Sequence, residues 1–210
     1  MNKKLPILGA VMVGALCLSG CQTVEEKKSA KPLPAVSAEF PWGGPGNVRK
    51  TKRIRNGTTI ERVSTVNTDG SSRTIERSDG CSTVARTDDI YGPAFSWNNC
   101  RSGPWGTGSA KVKSKEGQLW PLKIGNKVKY KFEPTNSAGK TNPNAYRNCE
   151  VTGTANVMAG GKAYDAYKTV CNESSGKRTL YFAPSVNTTV LGIREHNKGW
   201  TRRSEYLSEM

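Results

Sequence analysis

The sequence has few of the residues and motifs that usually mark a catalytic centre. His196 is its single histidine, and a lone histidine in a strand-like segment is more typical of a packing or surface residue. There is no H-E-x-x-H zinc motif, G-x-S-x-G nucleophile turn or Walker-type loop. Asp88 and Asp89 are adjacent, so their side chains diverge in an extended chain and fit a turn better than an acid–base pair. We therefore predict that the protein is not an enzyme and needs no cofactor; a hydrolase whose carboxylates meet only in the fold is an alternative.

Large apolar residues and helical periodicity are also scarce. Hydrophobic residues make up 35% of the chain, which has 22 glycines and 11 prolines, and the mean hydropathy is −0.62. Outside the first 20 residues, no segment has the spacing of an amphipathic helix. This composition argues against a large enzyme core and indicates a small, turn-rich exported domain.

The one long apolar run lies at the N-terminus. Lys3 and Lys4 precede 14 uncharged residues, Leu5 to Leu18, and the small residues Ser19 and Gly20 follow. A run of this length is too short to cross roughly 30 Å of hydrocarbon as a helix. The pattern therefore predicts a cleaved secretory signal peptide over residues 1–20, which forms a helix before cleavage.

The quartet Leu18-Ser19-Gly20-Cys21 resembles the lipobox of bacterial lipoprotein signal peptides. That resemblance implies a diacylglyceryl group on the Cys21 sulfur, cleavage just before Cys21 and acylation of the new amine. Two or more acyl chains would hold the chain stably on a membrane. Gln22 stands where an aspartate would retain an enterobacterial lipoprotein in the inner membrane, which favours the outer membrane. An ordinary secretory signal with an incidental cysteine is the alternative.

Acidic residues are few beside the basic ones. The chain has 17 Asp and Glu against 32 Lys and Arg, a net charge of +15. One interpretation is solubility with weak attraction to anionic surfaces. The other is affinity for anionic lipid, lipopolysaccharide or another polyanion of the cell envelope, and no specific nucleic-acid partner is predicted. A module that binds a protein partner, such as an assembly subunit or an inhibitor, is a further alternative.

Four of the six cysteines remain once Cys17 leaves with the signal and Cys21 is lipidated. An even number in an exported chain predicts disulfides among Cys81, Cys100, Cys149 and Cys171. A turn at residues 159–162 would place Cys149 opposite Cys171, subject to a bulge, which leaves Cys81 to pair with Cys100. No C-x-x-C pair is present, so no metal site is predicted.

Strand-like segments separated by turn residues fill most of the chain. Asn56-Gly57, Asp69-Gly70 and Asp79-Gly80 predict the turns of a β-meander, and six further β-rich segments lie between Val128 and Leu207. We predict an all-β fold, an antiparallel sandwich or partly open barrel preceded by the meander. The predicted units are the signal peptide (1–20), a flexible proline-rich tether (21–46), the meander with a disulfide-pinned aromatic loop (47–108) and an antiparallel β domain (109–210).

The quartet Thr-Ile-Glu-Arg occurs twice in the meander, at residues 59–62 and 74–77. It indicates either a weak repeat of one hairpin strand or chance similarity between polar strands. Two copies are too few to predict a solenoid.

The densest basic segment begins the meander. As a strand, it would place Arg49, Arg53 and Arg55 on one face and Lys50 and Lys52 on the other. These five residues are the candidate anion-binding patch. The alternative is an edge strand whose charges protect it from aggregation.

Aromatic residues concentrate in two irregular segments. Phe40 and Trp42 are apolar for a tether, so we expect them to dock onto the folded domain or into the lipid headgroup layer. The aromatics of residues 87–108 are expected to pack on the sheet as part of the disulfide-pinned loop, and a carbohydrate- or lipid-binding platform is the alternative.

Three short motifs in the C-terminal part resemble uncharacterised β-rich envelope domains of Gram-negative bacteria. They are Leu119 to Gly125, Tyr181 to Pro184 and Val190 to Gly192. The resemblance covers roughly the last 95 residues, a usual domain size. It implies a β fold and an envelope location, and it lends no catalytic residues.

Overall fold

The computed structural model describes Lys27 and residues 33–210, and it shows an all-β protein. Twelve antiparallel strands follow one another around a closed barrel, and β1 pairs with β12 to complete it. The strands are β1 (Val48–Arg55), β2 (Thr58–Val66), β3 (Ser72–Arg77), β4 (Ser82–Arg86), β5 (Ser96–Asn98), β6 (Gly108–Gly117), β7 (Lys127–Asn136), β8 (Ala145–Ala159), β9 (Lys162–Glu173), β10 (Gly176–Ala183), β11 (Thr188–His196) and β12 (Thr201–Glu209). Short 3-10 turns span Pro104–Gly106 and Pro184–Val186.

The predicted signal peptide, its helix, the lipobox and Cys21 lie outside the described residues. Over Lys27 and residues 33–210, we find no helical segment with the length and apolarity that a membrane span requires.

Alternating side chains explain why these segments form strands with one buried face. In β7, Val128 and Tyr130 are 1% and 2% exposed, whereas Lys127, Lys129 and Lys131 face solvent. This period of two is typical of a sheet with one face turned to the interior. The predicted all-β antiparallel fold is confirmed, and the meander strands β1–β4 form part of the same closed barrel as the later strands.

Short turns that contain glycine join the first four strands of the barrel. Asn56 and Gly57 join β1 to β2 with φ values of 47° and 83°, the conformation that a two-residue hairpin turn requires. Asp69-Gly70 and Asp79-Gly80 join the next strands, as the sequence predicts.

Both predicted disulfides are confirmed. Cys149 of β8 lies directly opposite Cys171 of β9, and the register shifts by one residue between Val151 and Gly153, which is the bulge that the prediction allowed. Cys81 precedes β4 and joins Cys100 in the loop after β5.

One end of the barrel is closed by apolar side chains. Because consecutive strands are antiparallel, the loops β4–β5 and β6–β7 and the N-terminal segment all reach this end. Ile90, Tyr91, Leu119, Trp120 and Leu122 pack there in one cluster, joined by Leu33, Val36, Phe40 and Trp42. We call this set the plug.

The N-terminal segment is attached to the plug by hydrogen bonds as well as by packing. Trp120 Nε1 donates to Ala38 O at 3.0 Å, and Trp42 Nε1 donates to Thr87 O at 2.6 Å. The rings of Phe40 and Trp120 stack with their centroids 5.4 Å apart. Of the two destinations expected for Phe40 and Trp42, the structure shows the folded domain.

The β8–β9 hairpin extends beyond the barrel wall and covers the outside of β10–β12. Val157 and Tyr164 of the hairpin share a second apolar cluster with Tyr181, Leu191 and Tyr206. Gly160 at its tip donates from its backbone N–H to Glu205 Oε2 at 2.8 Å. This cover buries apolar side chains on the outer face of the sheet, which leaves the inner face available for other residues.

Removing the buried disulfide should destabilise the barrel without changing its fold. The Cys149–Cys171 bridge spans 22 residues, and a loop of that length contributes about 3 kcal/mol in the chain-entropy model. We expect the Cys149→Ala, Cys171→Ala double variant to lose about that much free energy of unfolding. Urea denaturation followed by circular dichroism measures it, and an unchanged midpoint would contradict the expectation.

Candidate functional site

The interior of the barrel is an arginine-lined cavity of about 590 Å³, which we call the lumen. Its lining arginines come from seven strands and one loop: Arg49, Arg53, Arg55, Arg62, Arg73, Arg77, Arg101, Arg147, Arg178, Arg194 and Arg202. Within the described part of the chain, no lysine, aspartate or glutamate lines it. The basic side chains inside the barrel are therefore all of the type that binds carboxylate and phosphate in a bidentate way.

The five residues of the predicted anion-binding patch divide between the two faces of β1. Arg49, Arg53 and Arg55 line the lumen, whereas Lys50 and Lys52 lie on the outside. The predicted separation of the two faces is thus found in the structure. The edge-strand alternative is wrong, because β1 is hydrogen-bonded to β2 on one side and to β12 on the other.

Sequence reasoning missed the other eight lumen arginines. The sequence contained a usable pattern, because several of these arginines lie on the same face of a strand as buried apolar residues. Arg178 lies in phase with Leu180 and Phe182, and Arg147 lies in phase with Cys149. An arginine on the apolar face of a strand indicates a charge turned toward the interior.

Strand pairing sets these like charges side by side. Arg62 of β2 is directly opposite Arg77 of β3, so the repeated quartet brings its two arginines together. On the other side of the lumen, Arg194 of β11 is opposite both Arg178 and Arg202. Like charges at directly opposed positions destabilise a sheet, so this arrangement has a standing electrostatic cost.

One buried carboxylate offsets part of that cost. Glu173 ends β9 with its side chain 4% exposed, and its oxygens lie 2.7 Å from Arg147 Nε, 3.2 Å from Arg178 and 3.4 Å from Arg194. Burial alone would raise the pKa of Glu173, but the three guanidinium groups outweigh it and hold that pKa below its usual range. Glu173 therefore stays ionised and holds one side of the lumen together.

Other arginines are tied to the rim of the barrel. Arg49 Nε donates to Glu209 Oε1 at 2.6 Å, and its terminal nitrogens donate to the carbonyls of Val186 and Asn187. Asp79 pairs with Arg77 and lies 3.7 Å from Arg55. These contacts fix the positions of three lining arginines.

Five lumen arginines form no ion pair with any described residue. Arg101 is exposed, and the other four are buried or half-buried: Arg53, Arg62, Arg73 and Arg202. Arg53 Nε donates to Ser204 Oγ at 3.2 Å, and Arg73 lies 3.7 Å from the centroid of the Trp42 ring. Arg73 is only 6% exposed, and its Nε has no hydrogen-bond acceptor within the described part of the chain.

Burial and mutual repulsion disfavour the charge on these groups. Burial, then the charge of Arg62, lowers the pKa of Arg53 and of Arg73 to about 9. Burial, then the charge of Arg77, lowers the pKa of Arg62 to about 10. All three remain protonated at pH 7, so the lumen keeps uncompensated positive charge.

Aromatic rings accompany the arginines at the open end, which we call the mouth. The Trp200 ring lies in the β11–β12 turn, 5.8 Å from Arg194, 5.1 Å from Arg202 and stacked on His196 at 4.4 Å. The single histidine is thus a packing partner of a tryptophan.

Facing this turn is the loop that the Cys81–Cys100 disulfide pins. Trp97 Nε1 and Arg101 Nε each donate to the carbonyl of Trp105 at 3.0 Å, which orders the loop over the mouth. Burial, followed by the charges of four neighbouring arginines, lowers the pKa of Arg202 to about 10, and these neighbours include Arg101 of the loop. The predicted aromatic loop, residues 87–108, is divided in two by β5: Tyr91 packs in the plug, whereas Trp97 of β5 and Trp105 line the lumen at the mouth.

Asp88 and Asp89 face different partners. Arg86 binds Asp88 at the surface, whereas buried Asp89 pairs with Lys115 at 3.3 Å and accepts a hydrogen bond from Tyr130. Across Lys27 and residues 33–210, no three histidine, cysteine, aspartate or glutamate side chains lie together as a metal site would require.

Comparison with known proteins gave likenesses in structure but none in sequence. No family model matches the chain, and no curated protein matches it in sequence. Among solved structures, it is similar to the hypothetical lipoprotein YmcC from Escherichia coli K12, with 7% identity, a TM-score of 0.43 and coverage of 77% of this chain and 84% of that one. It is also similar to MucB, with 10% identity, a TM-score of 0.34 and coverage of 82% of this chain and 55% of that one.

Replacing the buried carboxylate should destabilise the protein in a pH-dependent way. Glu173→Gln leaves three guanidinium groups without their shared partner, so we expect a loss of about 3 kcal/mol of unfolding free energy at pH 7. Because the folded pKa of Glu173 lies below the unfolded value of about 4.3, its contribution is present above that value and is lost as the pH falls through the folded pKa.

The matched control is Glu195→Gln, which removes an exposed carboxylate 3.8 Å from Lys177 and should cost less than about 1 kcal/mol. Urea denaturation of both variants at several pH values between about 3 and about 7 measures the loss of unfolding free energy in each. Equal losses for the two variants at pH 7 would show that Glu173 has no special role.

Proposed function

We propose that this protein is a non-enzymatic binding protein of the bacterial cell envelope that holds a ligand with several negative charges in its lumen. The observation that carries the proposal is the set of four buried or half-buried arginines without ion-pair partners: Arg53, Arg62, Arg73 and Arg202. An unpaired charge in a partly buried site costs free energy, and no carboxylate of the described chain pairs with these four guanidinium groups to offset it. An anionic ligand supplies the missing partners.

The ligand groups that suit this lumen are carboxylates, phosphates and sulfates. A guanidinium group presents five N–H donors in a planar fork, which matches two oxygens of such a group at once. Arg73 supports this assignment most directly, because its Nε is buried without an acceptor.

The outer surface differs from the lumen in a way that supports specific binding. Lysines on the outside pair with carboxylates that are partly exposed, for example Lys113 with Glu133 at 3.2 Å and Lys127 with Glu150 at 3.3 Å. Exposed pairs of this kind are screened by salt and contribute little to attraction. General adhesion to an anionic surface would use these lysines, whereas the enclosed arginines suit a bound molecule.

The envelope location and the membrane anchor in this proposal are supported by the lipobox resemblance around Cys21. Gln22 favours the outer membrane. A protein partner that inserts an acidic segment into the mouth is the alternative occupant, and pull-down from solubilised membranes would identify it as one stoichiometric protein.

Loss of a lumen arginine should weaken anion binding more than loss of its neighbour on the outside. Arg202 lines the lumen, and the adjacent Arg203 faces outward and pairs with Glu205 at 2.6 Å. Removing one charged hydrogen-bond donor costs about 1.5 kcal/mol, so Arg202→Gln should bind polyphosphate about tenfold more weakly. Isothermal titration calorimetry measures the affinity, and an equal loss in Arg203→Gln would place binding on the outer surface.

The same arginines should reduce the stability of the ligand-free protein. Arg62 is opposite Arg77 and has no counter-ion within the described chain, so Arg62→Gln removes a repulsion. We expect the ligand-free variant to gain about 1 kcal/mol in unfolding free energy while losing affinity for polyphosphate. Thermal denaturation with and without polyphosphate checks both effects, and a destabilised variant would show that Arg62 serves the fold.

A further inference from the structure

The charge of the lumen suits a ligand with many negative charges. Its eleven arginines form ion pairs with only three carboxylates of the described chain, Asp79, Glu173 and Glu209, which leaves an excess of eight positive charges. A single phosphate or carboxylate would neutralise a small part of this excess. The charge count therefore indicates a ligand with repeating anionic groups, and it disfavours one lipid headgroup.

The aromatic side chains at the mouth favour a ligand that contains rings. Trp200 lies on one side, near Arg194 and Arg202. Trp105 lies on the facing loop, and Trp97 of β5 donates a hydrogen bond to its carbonyl. These rings are half-buried and border the lumen, so a chain that leaves through the mouth passes between them. Aromatic side chains placed among a few polar groups are typical of ligand-binding pockets.

The far end of the lumen is closed by the plug. Trp42 lies at this end against Arg73, and Phe40 and Trp120 stack behind it. From Arg49 to Arg55, the lumen follows β1 over about 20 Å. A polymer cannot pass through a barrel that is closed at one end, so it must enter with its terminus.

From charge, rings and closure together we infer that the ligand is an acidic oligosaccharide chain, bound by its end. This inference rests on the proposed function, and it specifies the class of anion. The arginines bind the carboxylate or sulfate groups of successive sugars, and Trp200 stacks on a sugar ring at the mouth. Single-stranded nucleic acid also combines charges with rings, but the exported chain of the proposed function meets glycans in the envelope.

The test distinguishes binding of charges from binding of rings. It compares the effect of one variant on probes that carry both with its effect on a probe that carries charges alone. Galacturonate and heparin oligosaccharides carry both charges and rings, whereas polyphosphate carries charges alone. Trp200→Ala should bind the oligosaccharides about tenfold more weakly, which is about the factor that a nucleic-acid base gains by stacking on one aromatic side chain. Polyphosphate affinity should fall much less, because Arg194 and Arg202 remain and polyphosphate has no ring for Trp200 to contact.

The matched control is Tyr146→Ala, which removes an exposed aromatic ring from the outer face of β8 and should change neither affinity. Phospholipid vesicles with anionic headgroups and oligothymidylate are titrated in parallel. Tighter binding of either one than of the oligosaccharides would overturn the inference, and so would equal effects of Trp200→Ala on both classes of anion.

The stoichiometry on long polymers tests the capture of a chain end. With end binding, the number of protein molecules per polygalacturonate chain stays constant as the chain lengthens, and side-on binding would make it rise in proportion. Binding of polyphosphate but not of oligosaccharides would reject the acidic glycan and leave the proposed function intact. Failure of every multivalent anion to bind would reject both.

Discussion

Closure of the sheet by the β1–β12 pair is the constraint on which the rest of the structure depends. In a closed antiparallel barrel, every second residue of each strand must point into one shared interior. Most small barrels fill this space with apolar side chains, but here seven strands turn arginine inward. The positions of the guanidinium groups are therefore set by the backbone register, and their mutual repulsion cannot be relieved by moving one strand alone.

The apolar contacts of the barrel lie where they can offset that repulsion. The plug fills one end of the interior, and the β8–β9 hairpin covers the outer face of β10–β12 with a second apolar cluster. Each disulfide holds a neighbouring part of the site, Cys149–Cys171 beside the Glu173 cluster and Cys81–Cys100 beneath the mouth loop. Apolar stabilisation thus comes from the closed end and from the outer face of β10–β12, which leaves the middle of the barrel available for charged side chains.

Local features of the sequence predicted the strands, the turns and the cysteine pairs, because each depends on a few neighbouring residues. The alternation in Val128 to Phe132 and the Asn56-Gly57 turn are examples. The site depends on closure, which places Arg178 and Arg53 in one cavity although 125 residues separate them. The repeated Thr-Ile-Glu-Arg quartet was a partial signal of the site, because its two arginines lie opposite each other. That signal could be used only once the pairing of β2 with β3 was known.

The alternation of inward-facing and outward-facing residues along each strand also determines which mutations could alter ligand preference over evolution. A point substitution at a lumen position changes one charge and leaves its neighbours in place. A single residue inserted in β10 before Arg178 would instead turn Arg178 outward and move the outward-facing Tyr181 into the lumen, reversing the two faces of the strand. Related barrels should therefore differ in length at the turns and bulges, while strand interiors vary by exchange of one side chain for another.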